Sequence, residues 1–210
     1  MDDLAFKRNI LFHTIYSDIV NLYSMVISLE DILTLSMQDL PNIPILIPDN
    51  IEYQNTAKKI MLYKYTFPET FWKTTFLQAY FILESSLEKI CTEVELSNNL
   101  SLTLTDVSGL GLSRSSKYLA KVACIKKPFE SHNWRDFKSY NQIRNLLVHT
   151  DGNFGKKDVK VFELIEKFKN TIYYQDSDLN NKLIFKKEFV LNFLEFVTIN
   201  FKNIEEEFKK

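Results

Sequence analysis

Glycine and proline are scarce in this chain, four and five among 210 residues. Turns draw heavily on both, so a fold of many short strands is excluded and long helices are expected. Cysteine is scarcer still. Cys91 and Cys124 stand far apart and match no CxxC spacing, which argues against a disulfide framework or a thiolate zinc site and fits a reducing cytoplasm. Charge of one sign is also lacking. Lys and Arg number 26 against 27 Asp and Glu, a net charge of −1, so any binding of nucleic acid must rest on a local patch. The opening Met1-Asp2-Asp3 has none of the basic residues that begin a secretory signal. The most apolar stretch, Ile10 to Leu29, is interrupted by His13, Asp18, Asn21 and several Ser and Thr. It reads as a buried amphipathic helix, with no membrane span. No internal repeat or low-complexity segment is visible.

What is present is an ordinary globular mix, 45% hydrophobic and 25% charged, with aromatics at 14%. A chain of this length can bury a sizeable core, and one domain over residues 1–210 is expected. The fold class expected is all-α, a helical bundle.

A first helix is predicted from Asp3 to Leu35, since neither Gly nor Pro interrupts it. Pro41-Asn42-Ile43-Pro44-Ile45-Leu46-Ile47-Pro48 cannot be helical, because proline removes donors and fixes φ. Its apolar content predicts an extended loop lying on the core. A short helix over Tyr53–Tyr63 follows, and Pro68 marks the start of a stronger one. There Phe76, Tyr80, Leu83, Leu87, Ile90 and Val94 recur at steps of three and four, one face of an α-helix ending at Ser97-Asn98-Asn99.

Gly109 and Gly111 mark a turn, after which Ser113 is expected to cap a helix through Val122, and Pro128 breaks the chain again. Asn133 or Asp136 then opens a helix through His149, closed by Gly152 in the left-handed position that glycine takes cheaply. Further helices are predicted at Val159–Asn170 and from Lys187 to the end. Thr171-Ile172-Tyr173-Tyr174 and Lys182-Leu183-Ile184-Phe185 suit a small hairpin near 171–185.

The segment Ile143-Arg144-Asn145-Leu146-Leu147-Val148-His149 carries the most chemistry. Asn141, Asn145 and His149 are four apart and share a helical stripe, while Arg144 is offset from His149 by about 140° on a long side chain. A guanidinium presents a planar fork of donors to phosphate oxygens, an imidazole moves protons near neutral pH, and an amide can orient either. No carboxylate or His/Cys cluster accompanies them, so the chemistry needs neither metal nor cofactor. A solvated helix end, with His149 against the negative pole of the macrodipole, produces the same loose spacing.

Arg144-Asn145-Leu146-Leu147-Val148-His149 resembles the Arg-polar-x-x-x-His signature of the HEPN superfamily, small helical ribonucleases and nucleotide-binding domains. Tyr140-Asn141-Gln142-Ile143 before it and Thr150-Asp151-Gly152 after it are similar to the context in HEPN proteins of bacterial defence. Gly109-Leu110-Gly111, Arg114 and Tyr118-Leu119 resemble an upstream segment of some members. The likeness spans Phe71 to Gly152.

The resemblance implies a HEPN-like bundle and a homodimer that brings two Arg…His motifs into one cleft. It implies a metal-independent endoribonuclease that cleaves RNA by attack of the 2′-hydroxyl, leaving a 2′,3′-cyclic phosphate and a 5′-hydroxyl. His149 would move the proton, Arg144 would stabilise phosphate charge and Asn145 would position either. A toxin or antiphage role, with an antitoxin or other defence protein as partner, follows from the same likeness. The alternative is a non-catalytic HEPN-like module that binds a protein or a nucleotide.

Arg114, Lys117, Lys121, Lys126 and Lys127 lie between Val107 and Phe129 without an acidic residue among them. Arg114, Lys117 and Lys121 share a helix face by spacing, either an RNA-guiding stripe or a solvated surface. Asn141 joins them as a secondary contact. Glu84 and Glu88 either hold Arg144 or face water. His13 and His132 are expected to be structural, and Trp72 and Trp134 to anchor the core.

Overall fold

A computed structural model describes residues 3–38 and 51–209. It is mostly helical, with 77% helix and 6% strand, the strands forming one small sheet. The first helix, α1 (Asp3–Gln38), packs on α3 (Phe67–Asn98) and on the last helix, α9 (Lys187–Phe208). Phe12, Ile15, Ile19, Leu22 and Val26 form its buried seam at steps of three and four. Most of the remaining surface of α1 is exposed, and Phe6–Gln38 is long and apolar enough to cross a membrane by length and composition. The apolar Pro41–Pro48 stretch lies outside the described residues.

Pro68 stands in the first turn of α3, as expected, but no break in the chain precedes that helix. α2 (Ile51–Met61) runs into α3 through a π-helical turn, Leu62–Thr66, and both flanking residues keep right-handed helical angles. Pro68 cannot donate to the carbonyl four residues back and its ring crowds that group, so widening the preceding turn keeps the rod continuous. α3 stops where Asn99 turns left-handed, at φ 48°.

The core is built largely from rings. Phe76, fully buried, lies within 6.5 Å of the ring centres of Tyr80, Tyr140, Phe185, Phe189 and Phe193. Trp72 and Trp134 are buried as expected. The predicted hairpin is present as β2 (Ile172–Gln175) and β3 (Asn181–Phe185), antiparallel, with Ile172 opposite Phe185. A two-residue strand, β1 (Asn153–Phe154), joins the other edge of β3, so the sheet runs β1-β3-β2. Its brevity left no alternation to read in the sequence.

Along the chain, α3 is followed by α4 (Gly111–Lys121), the four-residue helices α5 (Lys127–Glu130) and α6 (His132–Arg135), and α7 (Phe137–Thr150), while α8 (Val159–Lys167) connects β1 to β2. One expected cap is displaced. Ser113 lies inside α4, which opens on Leu110 without a side-chain cap. Pro128 sits in the first turn of α5, where its missing donor costs nothing. Ser131 caps α6, its Oγ accepting from the Trp134 amide, and Asp136 opens α7 as one of the two expected residues, at the N-cap position but with no side-chain cap bond.

Candidate functional site

Helix α7 presents its core face through Tyr140, Ile143 and Leu147, all buried. Its outward arc, going round the helix, carries Arg144, Val148, Asn141, Asn145 and His149. The arc ends with the helix. Asp151 and then Gly152 turn left-handed, at φ 53° and 81°, and the Asp151 and Gly152 amides close onto the Leu147 and Leu146 carbonyls. The sequence pointed to Gly152 for that role, and Asp151 takes it one residue earlier. Asp tolerates this conformation better than most side chains. Lys73, buried on α3, holds the same end by donating to the Asp151 carbonyl at 3.2 Å and to Glu69 at 3.1 Å, while Lys182 of β3 meets Glu69 at 2.7 Å. Burial pushes the Glu69 pKa up, but the hydrogen bonds from Lys182 and Lys73 outweigh it and hold the carboxyl below its usual range.

The half-buried Arg144 guanidinium donates from Nη1 to Asn145 Oδ1 at 3.1 Å and lies 5.5 Å from the centre of the Tyr80 ring. Tyr80 reaches from α3, its ring stacked on Phe193 at 6.2 Å and its hydroxyl donating to Asn141 Oδ1 at 2.7 Å. Burial raises the Tyr80 pKa, as does the nearby Glu84 carboxylate, while Arg144 opposes the rise, so the hydroxyl stays a neutral donor. With Oδ1 engaged, the Asn141 amide has two donors left for an anion. Tyr80 is a site residue that the sequence presented only as a core position, because its helical spacing is that of the buried stripe.

His149 is exposed in the last turn of α7, with no hydrogen bond or ion pair among the described residues. One chain therefore gathers Arg144, Asn145 and Asn141 around Tyr80 and leaves His149 on the far side of the arc, about 140° from Arg144. Neither Glu84 nor Glu88 pairs with Arg144 among the described residues. Glu88 meets Arg114 at 3.8 Å, and Glu84 abuts Gly111 so closely that a Cβ there would sit 2.1 Å from its Oε1.

The basic residues of α4 divide between two roles. Arg114 is half-buried and tied to Glu88, Lys117 donates weakly to the Ser108 carbonyl at 3.4 Å, and Lys121 is exposed. His13 and His132 are exposed. Cys91 is buried and Cys124 exposed, both as free thiols. Among the described residues no group of three His, Cys, Asp or Glu side chains is placed to hold a metal ion. Among the described residues, two grooves of about 740 and 530 Å³ are lined by none of Arg144, Asn145 and His149. No protein-family profile, no curated protein and no solved structure matches this chain.

Proposed function

We propose that this chain is a metal-independent endoribonuclease of the HEPN type, working as a homodimer. The observation that carries the reading is the supported arginine. A guanidinium held by Asn145 and seated over Tyr80, beside an Asn141 amide whose oxygen is engaged by the Tyr80 hydroxyl, makes a braced receptor for a phosphate. The exposed His149 on the same arc supplies the proton-transfer group.

In this reading the ribose 2′-oxygen attacks the adjacent phosphorus while a neutral imidazole takes its proton. The O2′–P bond forms, the P–O5′ bond breaks, and a second imidazole, protonated, gives its proton to the departing 5′-oxygen. Arg144 and Asn141 stabilise the charge that builds on the non-bridging oxygens. Two imidazoles are needed, and one chain offers a single His149, so a second copy completes the site. Val148, 51% exposed in the middle of the arc, gives that copy an apolar foothold. Arg114, Lys117 and Lys121 extend cationic surface along α4 for the RNA backbone. A toxin or antiphage effector held in check by a protein partner, acting in the cytoplasm, is the setting that suits such an activity.

The second reading is a HEPN-like binding module without catalysis. What favours it is that His149 has no neighbour to fix its tautomer or orientation. Incubation of the purified protein with RNA in the presence of a chelator separates the two. The enzyme leaves 2′,3′-cyclic phosphate ends, and the His149→Ala and Arg144→Ala variants lose at least about a hundredfold in rate, the scale of a general acid–base group. Equal cleavage by parent and variants would remove His149 and Arg144 from the chemistry and overturn the reading, and no cleavage by the parent would leave only the binding module.

A further inference from the structure

The molecule carries a second candidate site that the ribonuclease reading leaves unused. A groove of about 740 Å³ opens between the first turn of α3 and the outer face of the β2–β3 hairpin. That volume suits a small ligand of nucleotide size. Trp72 and Pro68 lie on its α3 side and Ile184 on the sheet side, with Tyr65 and Tyr173 as further aromatic surface. Trp72 is buried, whereas Tyr173 is 48% and Tyr65 53% exposed, so the two phenol rings are open to an incoming group.

Cations accompany the rings. Lys64 lies 5.6 Å from the Tyr65 ring centre and lines the groove, as does Lys186, whose Nζ also donates to the Asn170 carbonyl at 3.0 Å. The one acid in the lining, Glu69, is already matched by Lys73 and Lys182. The groove therefore presents a net positive rim over aromatic faces, with Gln175 as a further hydrogen-bonding group. Flat π surface for a base and ammonium groups for a phosphate are the two things a nucleotide asks of a protein without sequence readout.

Two further observations place the groove. Lys64 and Tyr65 belong to the π-helical turn before Pro68, which widens the helix and re-aims both side chains relative to a regular α-helix. Glu69, which lines the groove, binds Lys73, and Lys73 in turn donates to the Asp151 carbonyl two residues beyond His149. Glu69 and Lys73 thus tie the wall of the groove to the end of α7 that carries His149.

We propose that this groove binds a nucleotide, its base on Tyr173 and Tyr65 and its phosphate between Lys64 and Lys186. The nucleotide is either free or part of the RNA strand whose scissile bond lies at α7, and only the second source rests on the ribonuclease reading. The test is equilibrium binding of two probes, adenosine 5′-monophosphate and a short 2′-O-methyl RNA. The oligonucleotide cannot be cut by 2′-hydroxyl attack, so binding is measured apart from catalysis.

Parent and His149→Ala should bind alike, Tyr173→Phe should bind as the parent, and Tyr173→Ala should bind about tenfold or more weakly, the scale of one lost stacking contact. Lys64→Glu should weaken binding and flatten its salt dependence. Binding of the monophosphate but not the oligonucleotide assigns the groove to a free nucleotide. Oligonucleotide binding that is lost in Tyr173→Ala assigns it to the strand. The proposal is overturned if the parent binds neither probe, or if Tyr173→Ala and Lys64→Glu bind as the parent does while melting at the parent's temperature. That result leaves the enzymatic reading standing wherever His149→Ala still abolishes cleavage. Groove binding without any RNA cleavage overturns the enzyme and keeps the groove.

Discussion

The Tyr80 hydroxyl of α3 donates to Asn141 Oδ1 of α7 at 2.7 Å, and the ring behind that hydroxyl carries the Arg144 guanidinium. One core tyrosine thus sets both an amide and a guanidinium of the candidate phosphate site. Tyr80→Phe keeps the ring beneath Arg144 and removes only the hydrogen bond. It should cost about 1 kcal/mol of stability and lower kcat about tenfold with little change in KM. Tyr80→Ala, which also removes the support of Arg144, should cost more in both. Steady-state RNA cleavage measured beside thermal melting decides the matter, and a parent-like kcat in the Phe variant would confine Tyr80 to packing.

Val148 tests the need for a second copy. Exposed in the middle of the α7 arc, it makes little contribution to the monomer core. Val148→Glu should leave melting unchanged within about 0.5 kcal/mol, the usual range for an exposed position. It should yield a monomer in sedimentation and abolish RNA cleavage. A variant that remains dimeric and fully active would place the interface elsewhere.

Stability should depend on pH through the end of α7. Glu69 is ionised between Lys73 and Lys182, and its pKa is held below the usual carboxylate range. A carboxyl with a depressed folded-state pKa stabilises above its unfolded value, near about 4.3, and that contribution disappears as pH falls through the lower, folded value. Melting temperature should therefore fall more steeply below about pH 4.3 in the parent than in Glu69→Gln. Coincident pH profiles of the two proteins would show that the network contributes nothing to folding.

Gly111 opens α4 at φ +52°, and a Cβ there would meet Glu84 Oε1 at 2.1 Å. Gly111→Ala should destabilise by about 1–2 kcal/mol from the left-handed backbone alone, with a further loss from displacing Glu84. Adding Glu84→Ala should recover the second part and not the first. A double-mutant cycle by denaturant unfolding reads the coupling directly, and strictly additive losses would show that Glu84 yields without cost.

Part of this architecture was legible before any coordinates. The α3 stripe from Phe76 to Val94 declared its helix, because apolar residues at steps of three and four leave one buried face, and all six positions are buried. The β2–β3 hairpin was legible from β-branched and aromatic residues on either side of a polar turn. Pro68 marked the start of α3, but sequence shows only that a proline lacks a donor, not that the preceding turn can widen to join α2 to it. Ser113 misled. A Ser near a helix start is a frequent cap, and here Gly111 and Leu110 take the chain into the helix first.

The local sequence by itself determined the helices and put Arg144, Asn145 and His149 on one helix end, since spacing along a helix follows from 3.6 residues per turn. It also determined that Gly152 turns left-handed there, at φ 81°. Only the tertiary structure decided that Tyr80, some sixty positions earlier in the chain, would brace Arg144 and Asn141. It alone also decided that Lys64, Tyr65 and Tyr173 would share a groove. Those relationships depend on how α3 packs against α7 and the hairpin. Packing of distant segments answers to shape and burial summed over the whole core, which no local spacing encodes.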